Sequence, residues 1–376
     1  MRPRSNGRPT LLPTSLDEVS VGGVEASTES VSGVGVAGGR LHALDALRGF
    51  CAIGVAVYHY RLWSALAVPA PVEGLLAFLG TYGVSIFFIL SGYSLAHAYQ
   101  RRFDGALSGE HVLSYLRRRL ARLGPLFAVT VLLSIAGKIA TGGDVPDPFT
   151  ALASILLIFG FVDPANTPVI GGWSIGVEVV FYAFFPFMML LRRFAFAFLA
   201  LSLFLTAWVS WRLASLPDLP AGWHWYVHPA NQMIFFAGGV FMRLHADRWC
   251  AWKQGTWLAL LGCVLVVAVL VATGVSELEL VTGWRRVLLV SGALLIVAAL
   301  GAIGTPRSLA KTAEVLGGLS YPLYLLHPLL YFLSSRFIPV SVPSILLLAA
   351  LAIVGAIFVD RFVDMPLQRR LKGASW

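Results

Sequence analysis

Charge is scarce in this chain of 376 residues: 28 Lys and Arg and 19 Asp and Glu, 12% in all, against 57% hydrophobic residues. With a mean hydropathy of +0.78 and apolar runs of about twenty residues recurring from Leu44 onward, this excludes a soluble protein. Cysteine is nearly missing. Cys51, Cys250 and Cys263 are odd in number and lack metal spacing, which excludes a disulfide framework and a metal site. A sequence pI of about 9.7 suggests nucleic acid, yet the basic residues stand in short clusters between apolar segments, so the lipid bilayer is the expected partner. No apolar signal-type segment lies in residues 1–40, which are rich in Gly, Ser, Val and Thr. They are expected to form a disordered cytoplasmic tail. A membrane domain over 41–372 and a short cytoplasmic tail at 373–376 complete the expected organisation. The lack of an internal repeat counts weakly against transporters built from duplicated halves.

The fold class expected is all-α, a polytopic transmembrane bundle of about ten helices. The apolar segments are 44–66, 76–98, 123–141, 174–191, 194–211, 230–245, 256–273, 285–304, 314–334 and 343–361. Residues 149–162 are apolar but short and flanked by Asp and Pro on both sides, which suits a re-entrant or interfacial segment better than a crossing. With that segment not crossing, Arg101, Arg102, Arg117–Arg119, Arg122, Arg192, Arg193, Arg243, Arg248 and the later basic clusters share the side of the N-terminus. The positive-inside rule then places both termini in the cytoplasm of a multi-pass protein of the cell membrane.

Arg48 and His59 lie eleven residues apart in the first apolar segment. That is three helical turns, so both leave one face, about 16 Å apart along the axis. A charge inside a membrane helix marks a functional site by default; the plain alternative is an Asp45–Arg48 i,i+3 pair and an interfacial histidine. Glu178, on one face with Ser174 in Gly172-Trp173-Ser174, is an intramembrane carboxylate for which His59, at similar expected depth, is the natural partner. Arg118, Arg119 and Arg122 form a basic cluster open to two readings, lipid anchoring or a site for a phosphorylated cytoplasmic ligand. His327 stands between Pro322 and Pro328, either bonding a carbonyl freed by proline or meeting substrate. Ser91-Gly92 reads as helix packing, Trp173 and Tyr182 as interfacial aromatics, and Trp223, Trp225 and Tyr226 as interfacial aromatics or sugar-stacking surfaces.

Taken in order, the motifs carry a resemblance. Leu44-Asp45-Ala46-Leu47-Arg48-Gly49 with His59, Phe87-Phe88-Ile89-Leu90-Ser91-Gly92-Tyr93, the arginines of 118–125, Trp173-Ser174 with Glu178, Tyr321-Pro322-Leu323-Tyr324-Leu325-Leu326-His327-Pro328 and Asp364-Met365-Pro366 resemble the acyltransferase 3 family of membrane O-acyltransferases over residues 41–372. The resemblance implies transfer of an acyl group, most often acetyl from cytoplasmic acetyl-CoA, to a hydroxyl of a surface glycan such as an exopolysaccharide or lipopolysaccharide. It implies His59, Arg48 and Glu178 as catalytic residues, Arg118, Arg119 and Arg122 as the acyl-CoA site, and Trp173, Ser174, Tyr321 and His327 as substrate-binding candidates. It implies no permanently bound cofactor and no metal, acyl-CoA being a substrate. Two departures are visible. Glu178 is followed by Val179 where the family often has a second acid, and Asp364 stands where Glu is common. The soluble esterase-like domain that some relatives carry is not expected here.

The chemistry expected is general-base activation of the acceptor hydroxyl by His59, oriented by Glu178. Two other functions are compatible with the same residues: acylation of a cytoplasmic small molecule, such as a macrolide-type antibiotic or a lipid-linked sugar, and proton-coupled transport or flipping. The Ala, Gly, Val and Arg bias suggests a bacterial source.

Overall fold

The computed structural model describes residues 40–101, 103, 108–246, 252–271, 276–302, 305–335 and 337–372, with backbone alone for 252–254 and 372. The expected N-terminal tail up to residue 39, the C-terminal tail, Arg102, Arg248, Cys250 and Arg336 lie outside the described residues. Throughout the described part the structure is helical: α1 (His42–Ser64), α2 (Ala70–Tyr99), α3 (Gly109–Thr141), α4 (Pro148–Ile155), α5 (Phe159–Val162), α6 (Trp173–Leu190), α7 (Ala195–Ala214), α8 (Trp223–Tyr226), α9 (Pro229–Leu244), α10 (Trp252–Leu270), α11 (Glu277–Leu280), α12 (Gly283–Ala302), α13 (Arg307–Ser334), α14 (Val342–Val359) and α15 (Met365–Lys372).

Among the described residues, seven helical stretches are long and apolar enough to cross a membrane: α2, α3, α6, α7 with the turn before it, α12, α13, and α14 continuing to Leu371. The other three expected segments are also helical. α1 has 23 residues but carries Arg48, His59 and Arg61, α9 has 16 residues, and the apolar part of α10 is Gly255–Leu270. Residues 149–162 are broken into helices of eight and four residues, with Leu157 at φ 61° between them. Eight residues rise about 12 Å against a hydrocarbon core of about 30 Å, so neither piece spans it.

Side-chain pairings set the relative directions. Gly317 meets Asp45 and His327 meets His59, so α13 runs parallel to α1. Ser85 bonds Gln232 and Gly239 meets Ile89, so α9 runs parallel to α2. Tyr115 packs on Phe185, and Phe127 lies beside Gly172, so α3 and α6 are antiparallel neighbours with α4 and α5 between them. That is the arrangement expected if 149–162 does not cross. α2 and α9 touch backbone to backbone: a Cβ on Gly92 would collide with the carbonyl oxygen of Phe236, and one on Gly239 with that of Ile89. Small residues serve this purpose in helix pairs lacking a hydrophobic drive to associate.

The α3 helix starts earlier than the apolar pattern suggests, at Gly109, because the Ser108 side chain accepts the His111 N–H and caps it. The basic cluster is therefore part of the helix. Arg119 and Arg122 fall on one face, as positions three apart do.

Candidate active site

A cavity of about 220 Å³ opens between α1, α2, α3, α6 and α13. Its polar lining comes from five helices: Arg48, Ser91 and Ser94, Arg119 and Arg122, Ser174, Glu178 and Tyr182, and Ser320, Tyr321 and Tyr324. Val84, Phe87, Phe88, Leu95, Leu123 and Ile175 form apolar wall.

Arg48 is fixed by a fork. Its Nη1 reaches Asp45 Oδ1 at 3.3 Å, and its Nη2 donates to Leu90 O at 3.1 Å and to Ser94 Oγ at 2.9 Å. Asp45 is buried and also accepts from Arg40 Nε at 2.6 Å. The i,i+3 ion pair is therefore present, and it holds a guanidinium against α2 at the cavity wall instead of merely closing a helix end.

Glu178 accepts two hydroxyls on one oxygen, Oε1: Ser91 Oγ at 2.9 Å and Tyr182 OH at 2.6 Å. It shares the level of Ser91, next to the Leu90 and Ser94 groups that hold Arg48. The expected partnership with His59 is not formed. His59 Nδ1 instead lies 3.0 Å from His327 Nε2, with Trp63 stacked on its ring at 4.9 Å. His327 is fully buried; its Nδ1 lies 3.2 Å from Leu323 O, and Tyr60 donates to its backbone oxygen. Neither histidine lines the cavity. A carbonyl freed by Pro322 or Pro328 is that of Gly318 or Tyr324, four residues earlier, and the His327 ring bonds the Tyr324 carbonyl as well as that of Leu323, as the proline pattern suggests.

The remaining candidates divide. Arg119 and Arg122 line the cavity, Arg119 with its guanidinium 5.8 Å from the Tyr99 ring. Arg118 faces the other way and bonds Ser114 O at 3.2 Å and Ser114 Oγ at 2.5 Å within its own helix. Ser174 lines the cavity and donates to Tyr324 OH at 2.9 Å, which in turn donates to Gly171 O at 2.8 Å. Tyr321 lines it and donates to Leu123 O at 2.6 Å. Trp173 is buried among Phe88, Trp223 and Tyr226, off the cavity. Sequence reasoning missed Ser94, Tyr182, Ser320 and Tyr324 as site residues and treated Ser91 as packing. The available signal was that Ser91 and Ser94 stand three residues apart on an otherwise apolar helix, where each hydroxyl needs a partner.

The chain is similar to known proteins. Acyltransferase MdmB of Streptomyces mycarofaciens is 33% identical over 39% of this chain and 38% of its own length. The exopolysaccharide production protein ExoZ of Rhizobium meliloti is 28% identical over 66% of this chain and 76% of its own. O-acetyltransferase OatA of Staphylococcus aureus is 26% identical over 88% of this chain and 57% of its own, so the matched region is less than two thirds of both MdmB and OatA. No solved structure matches. The family model for the acyltransferase domain matches residues 41–361, a stretch that takes in every cavity residue and both histidines; the chain belongs to the acyltransferase 3 family.

Proposed function

We propose that this protein is an integral membrane O-acyltransferase of ten crossings that moves an acyl group, acetyl first among candidates, from cytoplasmic acyl-CoA to a hydroxyl of a carbohydrate. One observation carries the donor half. Arg119 and Arg122 face the cavity, and among the described residues no carboxylate lies within ion-pair distance of either. Half-buried guanidinium groups without a counter-ion are unfavourable, and they grip phosphate bidentately. CoA supplies that charge when it binds. The arginine-rich end of the bundle is the side where α1 and α13 begin, which the positive-inside rule assigns to the cytoplasm, with both termini.

The acceptor half rests on His59. It stands three turns along α1 from Arg48, about 16 Å by helical rise, and CoA likewise separates its phosphates from its thioester by a long flexible arm. His59 takes the proton of the acceptor hydroxyl, a C–O bond forms to the acyl carbon, the C–S bond breaks, and the proton passes to the departing thiolate. Arg48 steadies the donor near its phosphate end, and Glu178 holds the Ser91 and Tyr182 hydroxyls against the cavity. That one relative is named for exopolysaccharide production and another as an O-acetyltransferase favours acetyl and a glycan over a cytoplasmic small molecule.

The test is calorimetric titration of the detergent-purified protein with acetyl-CoA, followed by transfer of labelled acetyl to a panel of polysaccharides. Binding lost in an Arg119→Ala/Arg122→Ala variant, with transfer lost in His59→Ala, is the expected result. A folded wild type that does not bind acetyl-CoA overturns the proposal and favours transport.

A further inference from the structure

The protons in the His59–His327 pair have a single arrangement when both rings are neutral. Leu323 O is a carbonyl and can only accept, so the His327 Nδ1 that lies 3.2 Å from it carries that ring's proton. A neutral imidazole has one N–H, and its other nitrogen presents a lone pair. His327 Nε2 is therefore an acceptor, and its neighbour at 3.0 Å, His59 Nδ1, must donate. That assigns the proton of His59 to Nδ1, beside which the Val55 carbonyl, also bonded to this ring, is a second group that can only accept, and it leaves Nε2 with the lone pair a general base uses. The order is carbonyl, histidine, histidine, reacting hydroxyl.

We infer that His327 is a positioning residue: it fixes His59 in the Nδ1-protonated tautomer and aims Nε2 at the acceptor hydroxyl. This rests on the reading of His59 as the base and replaces Glu178 as its orienting group. The surroundings hold both rings in place. Trp63 lies nearly parallel to each, at 4.9 Å and 16° to His59 and at 6.0 Å and 10° to His327. Tyr60 anchors the α13 backbone by donating to His327 O at 3.1 Å. His327 is 1% exposed, so water does not compete for its Nε2, whereas His59 is only partly buried. When His59 takes the proton its Nδ1–H still has an acceptor, and the Trp63 face lies against the cation. A group that holds an imidazole in the working tautomer is worth about 10⁴-fold in kcat where this has been measured in a serine protease.

Two measurements decide it. In the first, the wild type labelled with ¹⁵N-histidine is examined by NMR at a pH where His59 is neutral, the His59 signals being assigned by their loss in His59→Asn. Protonation at Nδ1 is expected, and protonation at Nε2 overturns the inference. In the second, acetyl transfer is compared in His327→Phe, which keeps a ring but offers no acceptor, and in His327→Gln, whose Oε1 can accept from His59 Nδ1. His327→Phe should lower kcat by about 10²–10⁴-fold with the KM for acetyl-CoA within about twofold of wild type. His327→Gln should stay within about tenfold of wild type, and His59→Ala/His327→Phe should be no slower than His59→Ala alone, because the two residues act as one unit. Wild-type kcat in folded His327→Phe, with His59→Ala inactive, overturns the positioning role while leaving His59 as base. Normal transfer by His59→Ala instead removes the base reading, and the NMR result then still decides the tautomer. If His327→Phe does not fold, His327→Gln and the wild-type spectrum settle the matter: a His327→Gln variant that folds but is as slow as His59→Ala overturns it.

Discussion

Replacing Glu178 by glutamine and by alanine separates two roles a carboxylate can have in this cavity. Its Oε1 takes both the Ser91 and the Tyr182 hydroxyl, at 2.9 and 2.6 Å, so its structural work needs an acceptor oxygen and not specifically a charge. Glutamine keeps such an oxygen. Hydrogen bonds to a charged group contribute about 1.5–3 kcal/mol and neutral ones about 0.5–1.5 kcal/mol, so Glu178→Gln should cost about 2 kcal/mol over the two bonds. Alanine leaves two hydroxyls unpaired at about 1–3 kcal/mol each, about 2–6 kcal/mol in all. His59 is held by His327 rather than by Glu178, so no step of the proposed proton transfer passes through the carboxylate. Acetyl transfer by Glu178→Gln should therefore lie within about tenfold of wild type, while Glu178→Ala should lose at least about 100-fold, the lower range for misplaced groups at a reacting centre. The assays are thermal unfolding in detergent and steady-state transfer from labelled acetyl-CoA. A Glu178→Gln variant with near-native stability and the activity of Glu178→Ala would refute this division and make the charge itself a participant.

Three further outcomes follow from the same geometry. Arg122→Ala should weaken acetyl-CoA binding about 10- to 150-fold, the equivalent of one charge-assisted hydrogen bond of about 1.5–3 kcal/mol, whereas Arg118→Ala, whose guanidinium bonds Ser114, should change it less than about threefold by calorimetry. Gly92→Ala should destabilise the fold by about 3 kcal/mol or more, because its Cβ meets the backbone oxygen of Phe236 rather than a side chain that can rotate away, and detergent unfolding reads this directly. The Asp147 carboxyl, outside the spans, is held below its usual range by the Thr150 hydroxyl and N–H; the α4 cap is thus complete above the ordinary carboxylate range and is lost only as pH falls through the lowered value, which protection of the Thr150 amide against hydrogen exchange should follow.

The long helices were legible because a bilayer demands runs of apolar residues, and among the described residues each of the ten expected segments is mostly helix. Helix ends outside the apolar core were not, since hydropathy says nothing of a helix that continues past the lipid. The Ser108 cap moved the start of α3 to Gly109 and thereby sorted Arg119 and Arg122 from Arg118. Spacing along one helix placed Arg48 and His59 on a shared face, a relation internal to α1. It could not place Glu178 against them, because depth and rotation of α6 depend on how Gly172 and the short α4 and α5 helices deliver it. Gly160 and Gly176 let α5 and α6 approach so closely that a Cβ on either would strike the other's backbone. His327 was visible as an intramembrane histidine, but its meeting with His59 depends on α13 lying parallel to α1.

The division between the arginine end and the histidine pair constrains how the two substrates meet. Tyr324 and Phe87 belong to the cavity wall and pack edge to face at 6.1 Å, and Tyr324 is also the cavity residue whose ring lies 6.0 Å from His327. Its hydroxyl is tied to both Ser174 and Gly171, which fixes the Tyr324 side of that contact. A cavity of about 220 Å³ falls short of the roughly 300–1,000 Å³ of sites that enclose a drug-sized ligand, so it suits the end of a thin arm and a short acyl group but not a whole CoA. On the proposed function, the nucleotide stays at the mouth by Arg119 and Arg122 while the arm reaches inward past Phe87 toward His59. On the same proposal, donor and acceptor approach His59 from opposite sides of the Phe87–Tyr324 contact.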